Sequence, residues 1–490
     1  MQKTITLLLL AAMLTGILAA CGQTANETTA GADTTATNVD TTPETQETTL
    51  LEGLPTADYA GADFRVYGGQ VLAGMELPTT IQLSAGESTG EVVNDALFAR
   101  KLAIEDRYNV VMTELIDEAG YVDPNKVLNQ VQAGDTSYEM FYADIASQGY
   151  PIVLRGGVHA FNEVENVNLD KIYWEQKGIN ALTIGKKLYF PVGPITPRFY
   201  GSTYIILFNQ DMATELGLPD FYTLVSEGDW TMDVFMECAR TATADTDGDG
   251  KLTDDDRIGL GYEVLTAEAF LFGYGYHYVD NVDGKLQATL DDEHLISAMQ
   301  KLAAFYEEDC CVWFHSGSSY DEVKMYSEGN LLFYNPITVS LADFRELDYE
   351  YGILPMPKEN AEQAEYIVYG QPWAITCPYI PVTVTGDTLS MTGMLVDAMA
   401  AYGYEEVRPA VFENVIQTKG TRNEQSAAII EDVFQNITFD LAACIGLDGF
   451  YWELQQHFTN KLGKTEITSL YASKKEAVAN FLANLEDQLG

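Results

Sequence analysis

A run of acidic residues in the middle of the chain has the spacing of a calcium-binding loop. Residues 245–256 read DTDGDGKLTDDD, with a glycine where such loops turn sharply. Calcium binds six to eight oxygen atoms, and alternate carboxylates in a tight loop supply them. The expected ligands, in loop order, are Asp245, Asp247, Asp249, Lys251 through its backbone carbonyl, Thr253 and Asp256.

The end of this loop departs from the EF-hand pattern. The last ligand position holds Asp256 where EF-hands have glutamate, so its reach is shorter, as in dockerin-type loops. Residues 258–261 predict a strand in place of the second EF-hand helix. We therefore expect a single structural Ca²⁺ site as the only cofactor site, and not a paired sensor that opens on binding. The alternative is a solvated acidic turn without metal.

A second chemically marked residue lies near the N-terminus. Lys3 precedes the apolar run 5–18, and two alanines then lead to Cys21. This order resembles the lipobox of bacterial lipoproteins, in which the leader is removed and the cysteine carries diacylglycerol. The resemblance implies a signal peptide at residues 1–20, lipidation of Cys21 and a lipid-anchored protein on the extracellular face of the cell membrane. An ordinary secretory leader is the alternative.

One serine motif points to catalysis. Residues 86–90 (GESTG) match the G-x-S-x-G nucleophile elbow, with Ser88 as the nucleophile. An α/β-hydrolase places several strands before this elbow, whereas here it comes early in the folded part. A pair of glycosidase carboxylates is the other catalytic alternative, but 73 acidic residues make any one pair uninformative. We expect that the protein is not an enzyme. The alternative is a surface-anchored glycosidase or serine esterase.

The composition of the chain limits the classes of partner that it is expected to bind. The 490 residues carry a formal net charge of -46, which repels phosphate backbones, so we expect no nucleic-acid partner. Residues 21–54 hold few large apolar side chains and predict a disordered tether. Of six cysteines, Cys21 is assigned to lipid, and the odd number that remains argues against a dense disulfide framework. The adjacent Cys310 and Cys311 form either a vicinal disulfide or two thiols at a helix end.

The elements that carry these residues alternate between strands and helices. Apolar patterns predict strands at 64–66, 110–112 and 138–145, with helices at 91–108 and 126–133 between them. This order predicts an α/β lobe with a largely parallel sheet. Further strands are predicted at 188–190, 204–208, 331–334, 351–354 and 373–376, further helices at 231–242, 295–305 and 321–328, and a mostly helical chain from residue 389.

Five segments together resemble the extracellular solute-binding proteins of bacterial ABC importers, in the family that takes sugars and oligosaccharides. They are residues 90–110, 131–140, 205–218, 227–231 and 351–366. The resemblance implies an α/β fold of the type II periplasmic-binding-protein class, with two α/β lobes joined by crossing hinge segments and a helix-rich C-terminal part. It also implies a monomer that captures a carbohydrate, expected to be an oligosaccharide, and delivers it to ABC permease subunits in the membrane.

The same resemblance implies how the chain is divided. Residues 55–197 and 332–400 are expected in lobe 1, and residues 198–331 and 401–490, which carry the acidic loop, in lobe 2. The second crossing is expected near Tyr334, where Ile337 stands in place of the tryptophan that the family often has.

The ligand is expected where strands end and the lobes meet. Open α/β sheets bind ligands at the carboxyl ends of their strands, and sugars pack their C–H faces on aromatic rings while polar side chains bind their hydroxyls. For each aromatic residue, core packing is the alternative. The expected ligand-binding residues are Tyr67, Asp144, Gln148, Arg198, Tyr200, Tyr334, Trp373 and Trp452.

Overall fold

Short apolar runs form the strands of the protein. The computed structural model describes residues 49–69, 83–314, 318–338, 341–344, 346–412, 421–459 and 467–490, so the predicted signal peptide, Cys21 and most of the predicted tether lie outside the described residues. Within these ranges the strands are β1 (Ala62–Gly69), β2 (Val110–Asp117), β3 (Met140–Asp144), β4 (Thr183–Ile184), β5 (Lys187–Leu188), β6 (Ile206–Asn209), β7 (Ile258–Tyr262), β8 (Val279–Val282), β9 (Lys285–Ala288), β10 (Cys311–Trp313), β11 (Leu331–Tyr334), β12 (Tyr351–Leu354), β13 (Val368–Tyr369), β14 (Thr376–Tyr379) and β15 (Ile437–Thr438).

Helices connect the strands, and several begin at an aspartate that accepts a hydrogen bond from the first turn, such as Asp123, Asp220 and Asp292. In the described residues they are α1 (Val92–Tyr108), α2 (Pro124–Gln132), α3 (Tyr150–Leu154), α4 (Gln176–Leu182), α5 (Arg198–Gly201), α6 (Gln210–Glu215), α7 (Phe221–Glu227), α8 (Met232–Ala242), α9 (Val264–Ala267), α10 (Ala269–Gly273), α11 (Glu293–Tyr306), α12 (Glu322–Ser327), α13 (Leu341–Phe344), α14 (Gly386–Tyr402), α15 (Arg408–Val411), α16 (Glu424–Val433), α17 (Leu441–Ile445), α18 (Phe450–Thr459) and α19 (Ile467–Leu489). None of these helices combines the length and apolar character needed to span a membrane.

The first sheet, sheet A, has the strand order β14-β3-β1-β2. Strand β1 pairs in parallel with β2 and β3, and β14 pairs antiparallel with β3. Helix α1 connects β1 to β2 and buries Val93, Leu97 and Ile104 completely or nearly so. The strands and helices predicted in this region are confirmed. The parallel strands end together at Gly69, Asp117 and Asp144.

The second sheet, sheet B, has the order β10-β7-β11-β6-β12. Strand β7 pairs in parallel with β10 and β11, while β6 pairs antiparallel with β11 and β12. Its strands β6, β7, β11 and β12 are buried at every residue, as expected for strands covered on both faces of the sheet. The predicted strands at 204–208, 258–261, 331–334 and 351–354 are all present, within two residues at either end.

The structure corrects the expected return of the chain to the first lobe. The division at residue 332 assigned the segment after Leu331 to lobe 1, yet β11 and β12 both pair in sheet B. The chain rejoins sheet A only at β14, which begins at Thr376 and not at Trp373. The reason is that β11 is wholly apolar and pairs on both sides, with β7 and with β6. Residues 403–411, expected in lobe 2, pack against α1 beside sheet A. Helix α16 packs on β12 of sheet B, and α18 packs on helices α9 and α11.

Two segments cross between the sheets side by side. The amide of Gln371 donates to the carbonyl of Ser202 over 2.8 Å, and the amide of Tyr204 donates to the carbonyl of Tyr369 over 3.0 Å. Gly370 lies between them, and a Cβ atom there would come within 2.6 Å of the Phe439 ring. This crossing fixes the backbone on either side of it, including α5 and the segment that leads into β14.

Candidate functional site

A cavity of about 490 Å³ lies where the carboxyl edge of sheet A meets the crossing segments. It is lined by Gly120, Tyr121, Pro124, Asp144, Ser147, Gln148, Arg198, Trp373, Ala374 and Thr376. Four of the eight predicted ligand residues are in this set. A fifth, Trp452, contacts Trp373, with the two ring centroids 5.4 Å apart. The structure therefore brings Asp144, Gln148, Arg198, Trp373 and Trp452 together.

Asp144 is the last residue of β3, and it organises the turn that follows. Its carboxylate accepts hydrogen bonds from the Ser147 amide over 2.6 Å, the Ser147 hydroxyl over 2.7 Å and the Gln148 amide over 3.3 Å. Burial raises the pKa of Asp144 above its usual value, and these donors oppose the rise. The aspartate thus fixes Ser147 and Gln148 in the cavity wall.

Arg198 supplies the cation of the cavity. It is the first residue of α5, directly after the prolines of the first crossing, and its Nε donates to the carbonyl of Ala374 over 2.5 Å. Burial lowers the pKa of Arg198, while the charge of Asp144 opposes that effect. A guanidinium remains protonated under these conditions, so one positive and one negative group face the cavity and their charges compensate.

Trp373 offers an unused donor. Its backbone amide donates to Gln371 Oε1 over 3.2 Å, and Gln371 Nε2 donates to the Tyr204 hydroxyl over 2.6 Å, which ties the tryptophan to the crossing. Its indole Nε1 is buried and has no hydrogen-bond partner among the described residues. A buried donor without a partner costs about 1–3 kcal/mol, so a ligand oxygen at this position would remove a penalty.

A buried carboxyl group, that of Glu268, fixes helix α18, which carries Trp452. Its neighbour Tyr451 and Gln455, both on α18, hydrogen-bond to Glu268, and the Tyr278 hydroxyl donates to the same carboxyl over 2.9 Å. Glu268 is fully buried, and burial raises its pKa to about 8. The glutamate therefore keeps its proton at neutral pH and links α18 to the neighbouring α10. Trp452 itself is 42% exposed beside Trp373.

This carboxyl group gives a testable pH dependence. Unfolding returns Glu268 to a pKa near 4.5, so between that pH and about pH 8 the folded protein binds more protons than the unfolded chain. The free energy of unfolding must then fall as pH rises, by up to about 1.4 kcal/mol per pH unit. Glu268→Gln removes this contribution. We expect thermal unfolding to show a weaker decline in stability from pH 5 to pH 8 than in the parent.

Glu476→Gln is the control for this measurement, because Glu476 is exposed on α19. It should leave the pH dependence of the parent protein unchanged. An equal decline in the parent and in Glu268→Gln would mean that Glu268 does not hold a proton in the folded state.

Three predicted ligand residues, Tyr67, Tyr200 and Tyr334, lie outside this cavity. The Tyr67 hydroxyl donates to Asp117, and its ring stacks on Tyr138 at 5.0 Å in a separate cavity beside Lys126. Tyr200 packs edge-on against three phenylalanine rings and is 4% exposed. The Tyr334 hydroxyl donates to Glu322. In each case, the ring belongs to the core.

The sequence analysis missed Tyr121. Tyr121 is 47% exposed and follows Gly120 in the turn after β2, so it lies at the rim of the cavity. The rule that ligands bind at the carboxyl ends of strands could have found it, because the carboxyl end of β2 lies at the same sheet edge as those of β1 and β3.

The predicted calcium loop is folded in a form that presents three carboxylates. One oxygen each from Asp245, Asp247 and Asp249 lies within 4.8 Å of the others. Asp245 accepts from the amides of Gly248 and Gly250 over 2.6 and 2.7 Å, which closes the loop around this group. The three residues fit a hard cation that binds oxygen.

The end of the loop is arranged differently from the prediction. Asp256 is buried and is not part of the group of three carboxylates. Its two oxygens accept hydrogen bonds from the amides of Thr246 and Thr253 over 2.7 and 2.9 Å. The Thr253 hydroxyl also donates to Asp256. Through these bonds Asp256 stabilises the fold of the loop. Asp245, Asp247 and Asp249 are therefore the residues that would hold Ca²⁺. The ion would neutralise the repulsion among their carboxylates.

We expect Ca²⁺ to raise the melting temperature of the protein, because an ion that binds only the folded loop stabilises it by mass action. Replacing both Asp247 and Asp249 by asparagine should abolish that rise. Asp255→Asn is the matched control, since Asp255 lies in the same loop but pairs with Lys324 over 2.5 Å. Differential scanning fluorimetry with added CaCl₂ or EDTA measures the effect, and an unchanged melting temperature in the parent would refute the site.

The serine motif lacks a catalytic arrangement in the described residues. Ser88 is exposed, and its hydrogen-bonding partner is the carboxylate of Asp95 on α1, which also accepts from the amides of Thr89 and Gly90. Asp95 thereby stabilises the start of the helix. A serine nucleophile would need a base such as histidine in the place of this carboxylate.

Comparison with known proteins identifies the fold. No protein-family model and no curated protein matches the chain. A cyclo/maltodextrin-binding protein complexed with maltotetraose matches with a TM-score of 0.54 at 12% identity, over 86% of this chain and 97% of that one. A sugar transporter from Rhizobium etli in an open conformation matches with a TM-score of 0.54 at 11% identity, over 86% of this chain and 99% of that one. UspC of M. tuberculosis matches with a TM-score of 0.52 at 13% identity, over 86% of this chain and 100% of that one. The protein has the type II periplasmic-binding-protein fold, as predicted.

Proposed function

We propose that the protein is a non-catalytic, extracellular solute-binding protein that captures a carbohydrate in the cavity beside Trp373 and Arg198. The observation that carries this proposal is the cavity wall itself, in which Asp144, Gln148, Arg198 and Trp373 converge at a strand edge, with the Trp452 ring against Trp373. Type II folds bind ligands at this edge, between their sheets. Neighbours of the same fold include one named as a cyclo/maltodextrin-binding protein and one named as a sugar transporter.

The chemistry of the wall suits a neutral, hydroxyl-rich molecule. Asp144 and Arg198 compensate each other's charge, so an ionic ligand would leave one charge unbalanced. The hydroxyls of a sugar both donate and accept, and they match a carboxylate, a guanidinium and an amide within one cavity. The tilted indole rings, 53° apart, provide apolar faces for C–H groups.

Anchoring and delivery complete the proposal. Lipid attachment at Cys21 would hold the monomer on the outer face of the membrane, and the tether would let the body reach a permease. Binding between the two sheets would favour a closed form, and an ABC permease would accept that form. The sequence around Cys21 and the fold of the body support this arrangement.

The stacking residues provide the direct test. We expect Trp373→Ala and Trp452→Ala each to weaken carbohydrate binding about tenfold to a hundredfold, since each removes an aromatic platform worth about 1–3 kcal/mol. Isothermal titration calorimetry against a panel of mono- and oligosaccharides measures the loss. Trp313→Ala is the matched control, because Trp313 lies on the edge strand β10 outside the cavity.

The same titrations separate binding from hydrolysis. A receptor returns the ligand unchanged, which chromatography of the recovered sugar verifies. Degradation of the sugar by the purified protein would favour the glycosidase alternative. Equal binding by the parent and both tryptophan variants would place the ligand elsewhere on the protein.

A further inference from the structure

Two adjacent thiols lie on one side of the backbone at the edge of sheet B. Cys310 ends the turn after α11, and Cys311 begins the edge strand β10. Their sulfur atoms are 3.9 Å apart, and both cysteines are free thiols. Cys310 is 4% exposed, while Cys311 is partly exposed.

The backbone around the pair is held by the sheet. The Leu260 amide donates to the carbonyl of Cys310 over 2.9 Å, and the Cys311 amide donates to the carbonyl of Glu308 over 3.1 Å. A disulfide needs sulfurs about 2.04 Å apart, and its α-carbons are usually at least about 4.4 Å apart. Adjacent α-carbons are only about 3.8 Å apart. Oxidation would therefore distort a peptide that the sheet holds in place.

Shared ligation requires no such distortion. Two thiolates bound at about 2.3 Å to one tetrahedral centre have sulfurs about 3.8 Å apart, by the geometry of the tetrahedral angle. The observed separation of 3.9 Å matches this spacing without movement of the backbone. The sequence left open whether these residues form a disulfide or remain thiols, and the geometry favours two thiols that act together.

The surroundings also favour the thiolate form of one member. The hydrogen bond from the Cys311 thiol lowers the pKa of Cys310. Burial and the charge of Glu308 oppose this effect, and Arg240 adds a smaller effect in the lowering direction. Arg240 is itself held by Glu308 through two hydrogen bonds of 2.6 and 2.7 Å. Burial and the hydrogen bond to Cys310 raise the pKa of Cys311. The thiolate is the ligating form of cysteine, so Cys310 is the member of the pair that binds first.

We infer that Cys310 and Cys311 form a dithiol site for one soft, thiophilic centre, which both sulfur atoms bind together. This inference is independent of carbohydrate binding, because β10 lies outside the cavity at Trp373. The ligand class is a soft metal ion or a trivalent metalloid, in contrast to the hard cation that fits the acidic loop.

Phenylarsine oxide is a suitable probe because it reacts with a dithiol without an oxidant. Two As–S bonds form, the As–O bond breaks, and the oxygen leaves as water with the two thiol protons, so arsenic remains trivalent. We expect the reduced full chain carrying Cys21→Ser to bind one equivalent, measured by intact mass spectrometry. The adduct should survive excess glutathione, a monothiol, and be released by dithiothreitol.

The cysteine variants define the site. Cys310→Ser and Cys311→Ser should each lose the glutathione-resistant adduct, whereas Cys238→Ser, which removes a buried single thiol, should retain it. Circular dichroism establishes that each variant is folded. Retention of the adduct by Cys310→Ser, or its absence from the parent, would overturn the inference.

A peptide map of the parent protein provides a test that needs no variant. Bound arsenical should protect both Cys310 and Cys311 from alkylation by iodoacetamide while the protein is folded. Protection of neither residue, or of only one, would contradict ligation by the pair.

Discussion

The crossing of two backbone segments between the sheets is the constraint on which the candidate site depends. Hydrogen bonds join Ser202 to Gln371 and Tyr204 to Tyr369, and the Gln371 side chain continues the contact to Trp373 and to the Tyr204 hydroxyl. Arg198 is tied to the second segment through the carbonyl of Ala374. The cation and the indole that define the cavity are thus fixed by the same crossing, so their spacing does not depend on either sheet alone.

The order of strands and helices could be predicted because the local spacing of apolar residues determines it. The parallel pairing of β1 with β2 and β3 follows from the helices between them, and it placed Asp144 and Gln148 at the sheet edge where the cavity lies. The return crossing could not be predicted in this way. Strand β11 looks like any buried strand, and only its pairing with both β6 and β7 shows that it stays in sheet B.

The direction in which a single aromatic side chain points could also not be predicted from local sequence patterns. Tyr67 and Trp373 both lie near strand ends, yet only Trp373 reaches the cavity. Neighbours distant in sequence decide this difference, because Asp117 and Tyr138 bind Tyr67 on the opposite side of the turn after β2. Polar residues that begin or end an element were better predictors, since Asp144 and Arg198 have their places fixed by the backbone of the strand or helix to which they belong.

The scarcity of basic residues shapes the interior as well as the surface. With 73 acidic and 27 basic residues, the chain cannot pair every buried carboxylate with a cation. Asp397 instead accepts from the Tyr173 hydroxyl, the Trp174 indole and a backbone amide, and Glu268 is bound by two tyrosines and a glutamine. Burial raises the pKa of both groups, which shows that neutral donors only partly replace a cation.

Against this background, the placement of Arg198 beside Asp144 is informative. In a chain where buried acids are commonly satisfied by neutral donors, the cavity is one place where a cation is kept, and it leaves a polar wall without net charge. A wall of that kind discriminates against ions of either sign and favours a ligand that both donates and accepts hydrogen bonds.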